Sequence, residues 1–524
     1  MRALSDYNRP HLPQEQGATA RVFSATVRGI DGYMVEVEVD LADGLPVFAV
    51  VGLPDAAVKE SRERVRAALH NSDLVFPVRR ITVNLAPADV RKEGPRFDLP
   101  LALAILAASG QVSRESLEGL AVLGELSLTG EIRPVHGVLS AAIAAREAGF
   151  RRILVPQGNA AEAAVVEGLE AYPARTLLQC AEWLAGREAI VPARDVREAD
   201  ETAGTDSDFS DVRGQEHVKR ALEIAAAGGH NLLMIGPPGA GKTMLARRLP
   251  TILPPLSYAE ALEITKIHSV AGLLPEGRGL VQGRPFRSPH HTVSDVGLVG
   301  GGTTAHAGEV SLAHLGVLFL DELPEFKRHV LEVLRQPLED GVITITRAGY
   351  TAEFPARITL VAAMNPCPCG HLTDPRKGCR CSARDIKNYQ SRISGPLLDR
   401  IDLHVEVPSV PHGELSGERV IEPSAAIRAR VVDARKRQSV RFKGTRTWTN
   451  SLMPAKQVRK HCPLEKESRD LLASACEQFG LSARAYDRIL KVARTIADLE
   501  GAERPSTAHI AEALQYRVLD RANW

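Results

Sequence analysis

The spacing of hydrophobic and polar positions changes several times along the chain, and each change predicts an element. From Arg21 to Val39 the pattern is that of strands, nearly alternating through Tyr33-Met34-Val35-Glu36-Val37-Glu38-Val39. Asp55 then heads a helical pattern running to about Leu69, where its carboxylate can cap free N–H groups. Glu60 and Arg64 lie one turn apart on that helix. Ile81-Thr82-Val83-Asn84-Leu85 predicts a strand, and the apolar run from Leu99 to Ala108 predicts a buried helix. Two further αβ units reach about residue 185. Residues 19–185 therefore read as one α/β domain behind a polar tail at 1–18.

A linker follows at 186–208: between Asp195 and Asp211 there are seven acidic residues and one basic residue, too few apolar groups for a core. The second block, 209–423, carries apolar strands at Asn231 to Ile235, Val317 to Leu320 and Ile358 to Ala363. Helical and loop segments separate them, the order expected of a parallel sheet. From about Ser424 to the end, 424–524, the pattern is helical and basic. No internal repeat or low-complexity tract is evident.

Composition narrows the class. With 44% hydrophobic and 25% charged residues the mix is globular, not disordered, collagenous or coiled-coil. No apolar run approaches the ~18 residues of a membrane helix. The start, Met1-Arg2-Ala3-Leu4-Ser5-Asp6, lacks the apolar stretch of a secretory signal, so a cytoplasmic protein with no membrane partner is expected. The 65 Lys and Arg against 64 Asp and Glu leave a net charge of +1, so any nucleic-acid site has to be a local patch.

One motif dominates the chemistry. Gly236-Pro237-Pro238-Gly239-Ala240-Gly241-Lys242-Thr243 fits GxxxxGK[ST], follows the apolar strand Leu232-Leu233-Met234-Ile235 and opens a helix. Such a loop wraps phosphates in backbone N–H groups, the lysine reaches the β/γ-phosphates and the threonine hydroxyl ligates Mg²⁺. ATP and Mg²⁺ are the cofactors it predicts. The strand Val317-Leu318-Phe319-Leu320 delivers Asp321 and Glu322 at its end. Asp321 suits the Mg²⁺ shell and Glu322 the general base that polarises the attacking water.

The seven cysteines are too few for a disulfide scaffold. Four of them, Cys367, Cys369, Cys379 and Cys381, form two C-x-C pairs nine residues apart on a loop with Gly370, Pro375 and Gly378. Four thiolates so placed suit a structural Zn²⁺; unliganded thiols or a redox pair are the alternatives. Cys180, Cys462 and Cys476 read as ordinary residues.

Longer stretches resemble a known family, the Mg-chelatase-like AAA+ proteins of the ComM/YifB type, from about residue 19 to the end. The likeness rests on Gly52-Leu53-Pro54-Asp55-Ala56-Ala57-Val58-Lys59-Glu60-Ser61-Arg62-Glu63-Arg64-Val65-Arg66, Asn84-Leu85-Ala86-Pro87-Ala88-Asp89, Phe97-Asp98-Leu99-Pro100, and Arg284-Pro285-Phe286-Arg287-Ser288-Pro289-His290-His291-Thr292. It implies a Lon-protease-like N-terminal domain, a P-loop AAA+ core with a helix-2 insert, a C-terminal helical lid and a hexameric ring. It also implies ATP-driven unwinding or branch migration of single-stranded and branched DNA in recombination, notably natural transformation, with recombination proteins as further partners.

The resemblance assigns further residues. Asn365, after Ala362-Ala363-Met364, matches the polar sensor 1 that orients the lytic water. Ser394-Gly395-Pro396-Leu397-Leu398-Asp399-Arg400-Ile401-Asp402 resembles the segment ending in the arginine finger, with Arg400 first and Arg392 second in line. Leu481-Ser482-Ala483-Arg484-Ala485 resembles sensor 2, making Arg484 the lid contact to the γ-phosphate, with Arg488 one turn later. The Lon likeness raises proteolysis as a rival. Arg96 stands at the nucleophile position, in Lys92-Glu93-Gly94-Pro95-Arg96, and Leu139 at that of the dyad lysine, in His136-Gly137-Val138-Leu139. Neither can act as nucleophile or base, so a fold without its chemistry is expected.

For DNA, residues 428–460 hold eleven Lys or Arg and one acidic residue, with Phe442 and Trp448 interleaved. Arg441, Lys443 and Trp448 are candidates, the alternative being a solvated lid face. A hairpin tipped by Arg347, between Val342-Ile343-Thr344-Ile345 and Tyr350-Thr351-Ala352-Glu353-Phe354, resembles the pore hairpin of ring ATPases. His290 and His291 invite a metal reading, but adjacent histidines diverge on a regular element and no third ligand is suitably spaced. The rival functions are a chelatase-type ATPase subunit and a nucleotide-gated DNA scaffold.

Overall fold

The computed structural model describes residues 18–194, 207–302, 306–347, 350–372, 377–410 and 421–517. The tail up to residue 17 and the acidic stretch 195–206 lie outside them. The chain divides into two compact units, one of residues 1–197 with 269–280, the other of 198–268 with 281–524.

In the first unit the strand-like region is two strands, β1 (Ala18–Arg28) and β2 (Asp31–Ala42), which fold back antiparallel so that Val22 faces Val37. With β3 (Phe48–Val51), β4 (Arg80–Ala86), β5 (Leu120–Val122), the short hairpin β6 (Glu125–Leu126) and β7 (Ile132–Arg133), β8 (Arg152–Pro156) and β9 (Glu170–Ala174), they give a seven-stranded sheet of order β3-β4-β2-β1-β5-β8-β9, the hairpin standing apart. The pairs β1–β5, β5–β8 and β8–β9 are parallel, so helices cross between them, Val138–Glu147 before β8 among them. Asp55 caps the helix Ala56–Asn71, accepting from the Val58 N–H at 2.8 Å. Every residue of the helix Asp98–Ala108 is buried. Arg64 turns from Glu60 at 3.9 Å to the wholly buried Asp98 at 2.6 Å, because a desolvated carboxylate needs a partner more than an exposed one does.

In the second unit β10 (Leu232–Ile235), β11 (Phe286–Arg287), the hairpin β12 (Gly300–Gly301) and β13 (His306–Ala307), β14 (Val317–Leu320), the hairpin β15 (Val342–Arg347) and β16 (Tyr350–Pro355), β17 (Thr359–Met364) and β18 (Leu403–Glu406) follow in order. Five of them form a sheet of order β11-β14-β17-β10-β18, parallel throughout. β10, β14 and β17 are buried at every position, which explains their unbroken apolar runs. Among the described residues from 421 on, the α-helices are Ser424–Arg441, Ala455–His461, Lys466–Phe479, Ala483–Leu499 and Thr507–Gln515. They share one apolar core with the sheet: Ile427, Val431, Ile489 and Ile496 belong to the same cluster as Leu232, Phe319 and Val361.

Candidate active site

Parallel pairing in register determines where the site lies. Ile235 of β10 pairs with Met364 of β17, and Leu320 of β14 with Ala362 of β17. The three strands therefore release their loops at one edge, the carboxyl edge at which open α/β sheets bind ligands. Gly236–Gly241, Asp321-Glu322 and Asn365 converge there.

The loop turns into the helix Lys242–Ile252 through Gly241, whose φ of 90° is left-handed and excludes a side chain at little cost only for glycine. The Lys242 ammonium donates to the carbonyls of Gly236 (2.6 Å) and Pro237 (3.0 Å) and to Asn365 Oδ1 (3.1 Å). Burial pushes its pKa down, against the opposing pull of Asp321 and Glu322. Thr243 Oγ1 donates to Asp321 Oδ2 at 2.7 Å, bringing a hydroxyl and a carboxylate oxygen together as a hard cation such as Mg²⁺ requires. Glu322 has a φ of 51°, a costly conformation outside glycine, and its N–H donates to Asp321 Oδ1 at 2.9 Å. The turn aims the two adjacent carboxylates at different targets.

Three further side chains adjoin the site: His291 and Tyr389, to which the sequence assigned no part in it, and Arg392, second in line for the arginine finger. His291 Nδ1 lies 3.6 Å from Glu322 Oε2, and its ring packs on His290 at 4.1 Å between centroids. His291 thus lies beside the candidate base, with His290 stacked on it. The Tyr389 hydroxyl accepts the Asn365 N–H, and burial pushes its pKa up to about 12. Arg392 bonds Glu325 at 3.0 Å, two residues past Leu323 on the loop that carries Glu322. The family motif containing His291 and the finger-like segment near Arg392 were the sequence signals here; nothing pointed to Tyr389.

The remaining arginines stand apart from the phosphate loop. Arg400 pairs with Glu339 and donates to the Pro396 carbonyl at 2.5 Å. Arg484 is mostly exposed, 3.5 Å from Asp399, and Arg488 reaches Asp402 at 3.4 Å. His230, Arg488 and Lys491 hold the Asp402 carboxyl well below its usual range, although burial alone would raise it. In the first unit Arg96 sits in the turn Pro95–Phe97, where burial pulls its pKa to about 10, and Leu139 is fully buried in the helix Val138–Glu147.

The four clustered cysteines come together. Cys367 Sγ lies 3.4 Å from Cys369 Sγ and 3.7 Å from Cys379 Sγ, Cys369 is 3.7 Å from Cys379, and all four sulfurs fall within 4.8 Å of one another. These separations are far beyond a disulfide bond and close to the ~3.8 Å between sulfurs set tetrahedrally ~2.3 Å from one zinc ion. The cluster is compatible with a structural zinc site.

Much of the basic segment is engaged in packing. Arg441 is turned inward, bonding the fully buried Asp498 through both terminal nitrogens and Asn450 Oδ1 at 3.0 Å. Phe442 is buried, Arg435 bonds the Ala226 carbonyl, and Arg437 bonds the Asp498 carbonyl at 2.8 Å. Helix packing takes up these cations, and the Arg441 guanidinium is already committed to Asp498 and Asn450. Lys443 is exposed. Trp448 is 42% exposed, with the Arg357 guanidinium 4.1 Å over its ring. β15 and β16 form the expected hairpin up to the Arg347–Tyr350 pair; its tip, residues 348–349, lies outside the described residues.

Comparison with known proteins now bears on this geometry. The sequence matches the profiles of magnesium chelatase subunit ChlI over residues 208–415, subunit ChlI of Mg-chelatase over 37–159 and the ChlI C-terminal region over 421–517. It is 47% identical over 507 residues to the competence protein ComM of Haemophilus influenzae, covering 96% of this chain and 98% of that protein. The chain belongs to the ComM/YifB family of magnesium-chelatase-like proteins. YifB of Salmonella typhimurium is 46% identical over 505 residues, covering 96% of this chain and 97% of YifB. A peroxisomal Lon protease homolog of Caenorhabditis elegans is 30% identical over 145 residues, 27% of this chain and 18% of that protein. The family, its AAA+ core and the converging P-loop residues support an ATPase using ATP and Mg²⁺. Among the described residues no helix is long and apolar enough to cross a membrane.

Proposed function

We propose that the chain is a ring-forming ATP-driven motor that unwinds or branch-migrates DNA during recombination and natural transformation. The observation carrying this reading is the convergence of Lys242, Thr243, Asp321, Glu322 and Asn365 at one sheet edge, in a chain matching a competence protein over nearly its whole length. The phosphate loop Gly236, Pro237, Pro238, Gly239, Ala240, Gly241 cradles ATP, and Lys242 leaves its three acceptors for the β/γ-phosphates. Thr243 and Asp321 hold Mg²⁺, which neutralises phosphate charge. Glu322 takes the proton of the attacking water, and Asn365 orients that water. Arg400 reaches the neighbouring subunit's nucleotide, exchanging Glu339 for the γ-phosphate, while Arg484 contacts it from the lid, 424–524. Residues 19–185 are a Lon-like fold without peptidase chemistry. Arg347, Lys443 and Trp448 grip DNA.

The ChlI match over 208–415 favours a second reading, an ATPase subunit of a chelatase-type complex. The test is ATP-dependent strand displacement on forked and four-way DNA, wild type beside Lys242→Ala. Displacement by the wild type alone supports the motor. ATP turnover that ignores DNA and responds to a chelatase partner supports the second reading.

A further inference from the structure

The four-cysteine cluster lies against the nucleotide loop. β17 ends at Met364, Asn365 accepts from Lys242, and Cys367 follows two residues later. Gly370, on the turn between Cys369 and the rest of the loop, has a φ of 80°, and its α-carbon faces Pro238 of the phosphate loop so closely that a β-carbon would stand 2.5 Å from Pro238 Cδ and 3.8 Å from Asn365 Cγ. Tyr389 accepts the Asn365 N–H. The segment bearing the cysteines therefore packs on Pro238, next to the Pro237 carbonyl that accepts from Lys242, and lies beside Asn365, another acceptor of Lys242.

Backbone donors surround the sulfurs. Each sulfur accepts a backbone N–H: Cys367 from His371 and Leu372, Cys369 from His371 and Arg380, Cys381 from Cys369 at 3.4 Å, and Cys379 from Cys381 at 3.4 Å. Donors aimed at sulfur stabilise the anionic ligand and orient it. Four sulfurs within 4.8 Å of one another are the donor set of a single tetrahedral cation, which would offset the repulsion between them as thiolates. Soft sulfur ligands select zinc or iron–sulfur clusters, and a multi-iron cluster needs its cysteines spread over several metal atoms, whereas this spacing suits one tetrahedral ion.

We propose that Cys367, Cys369, Cys379 and Cys381 bind one Zn²⁺ that acts as a brace on the nucleotide pocket, fixing Gly370 against Pro238 and Asn365 beside Lys242 so that the phosphate loop is preformed for MgATP. The brace rests on the reading of Gly236–Thr243 as an ATP site; the zinc does not touch ATP. With the cysteines freed, the loop behind Pro238 slackens and ATP binding has to order it. The role is one of positioning, so it bears on affinity before turnover.

The test uses the full chain purified without chelator. Elemental analysis is expected to give about one zinc per chain and no iron, and Co²⁺ exchanged for it should give the absorption of a tetrahedral thiolate site. Cys369→Ser with Cys381→Ser should lose the zinc and weaken binding of a fluorescent MgATP analogue at least tenfold. Zinc stripped from the wild type and then restored should lower and recover the affinity. Gly370→Ala should keep its zinc yet bind the analogue several-fold more weakly, because its methyl drives into Pro238; this variant keeps the test decisive if the double cysteine variant fails to fold. Absence of zinc, iron in its place, or zinc-free and Gly370→Ala proteins binding within twofold of wild type would overturn the brace. Stoichiometric zinc in a wild type that binds no nucleotide would overturn the ATP reading itself, and the brace with it.

Discussion

Arg441→Ala separates the two fates of the basic segment. Asp498 is fully buried and receives hydrogen bonds from Arg441, from Arg494 at 2.8 and 3.2 Å and from Asn450 at 2.8 Å. Removing one partner of a buried ion pair costs about 3–5 kcal/mol when nothing replaces it. Here Arg494 and Asn450 remain, so about 2–3 kcal/mol is expected. At about 2–4 °C per kcal/mol for a domain of 150–250 residues, and less for a larger one, the melting temperature should fall by roughly 5 °C. Thermal melts and fluorescence anisotropy with single-stranded DNA read both properties on one preparation. Below its melting point Arg441→Ala should bind DNA as the wild type does. Lys443→Ala should melt within about 1 °C of wild type while binding more weakly, its salt dependence shallower by about one counterion. An Arg441→Ala protein that melts normally but loses DNA affinity would refute the inward, structural role.

Mixing Lys242→Ala with Arg400→Ala should restore part of the ATP turnover that each lacks, because mixed rings contain interfaces with both residues intact; demonstrated mixed oligomers without recovery would place Arg400 in its own subunit's chemistry or in folding. The protein should not cleave casein or fluorogenic peptides, since Arg96 and Leu139 offer neither nucleophile nor base; cleavage that copurifies with the ring would contradict this. Burial pushes the Asp98 carboxyl up to about 6 despite its pairing with Arg64, above the ~3.9 of an unfolded chain. The folded state thus holds that proton more tightly, so Asp98's contribution to stability is fullest at low pH and declines as pH rises from about 4 to about 6. Melts across that range should show a shallower decline in Asp98→Asn, and an unchanged slope would remove Asp98 as its source.

Legibility followed the range of the interactions. The nucleotide loop, the strands ending at Leu320 and Met364, the cap Asp55 and the buried helix at Asp98–Ala108 were readable because each rests on local sequence: a motif, a period or a cap. The cysteines could be grouped by spacing, but their closure to within 4.8 Å depends on the path of the loop. Contacts between distant segments were not readable. Arg441 and Asp498 are 57 positions apart, and the charge run around residue 441 reads as a DNA contact or a solvated face because its acidic partner is on another helix. Likewise Tyr389 against Asn365 and His291 against Glu322 are meetings that strand order creates and sequence spacing does not encode. Arg64 choosing Asp98 over Glu60 shows desolvation overriding helical adjacency.

Steady-state release of phosphate from ATP, measured for wild type and Glu322→Gln beside nucleotide binding, decides whether Glu322 is the general base of an ATPase site. The account predicts turnover by the wild type, a fall of at least ~10² in Glu322→Gln, and MgATP binding close to wild type in that variant, since the phosphate loop and Asp321 are untouched. Normal turnover in Glu322→Gln, or no turnover by the assembled wild type with DNA present, would contradict it.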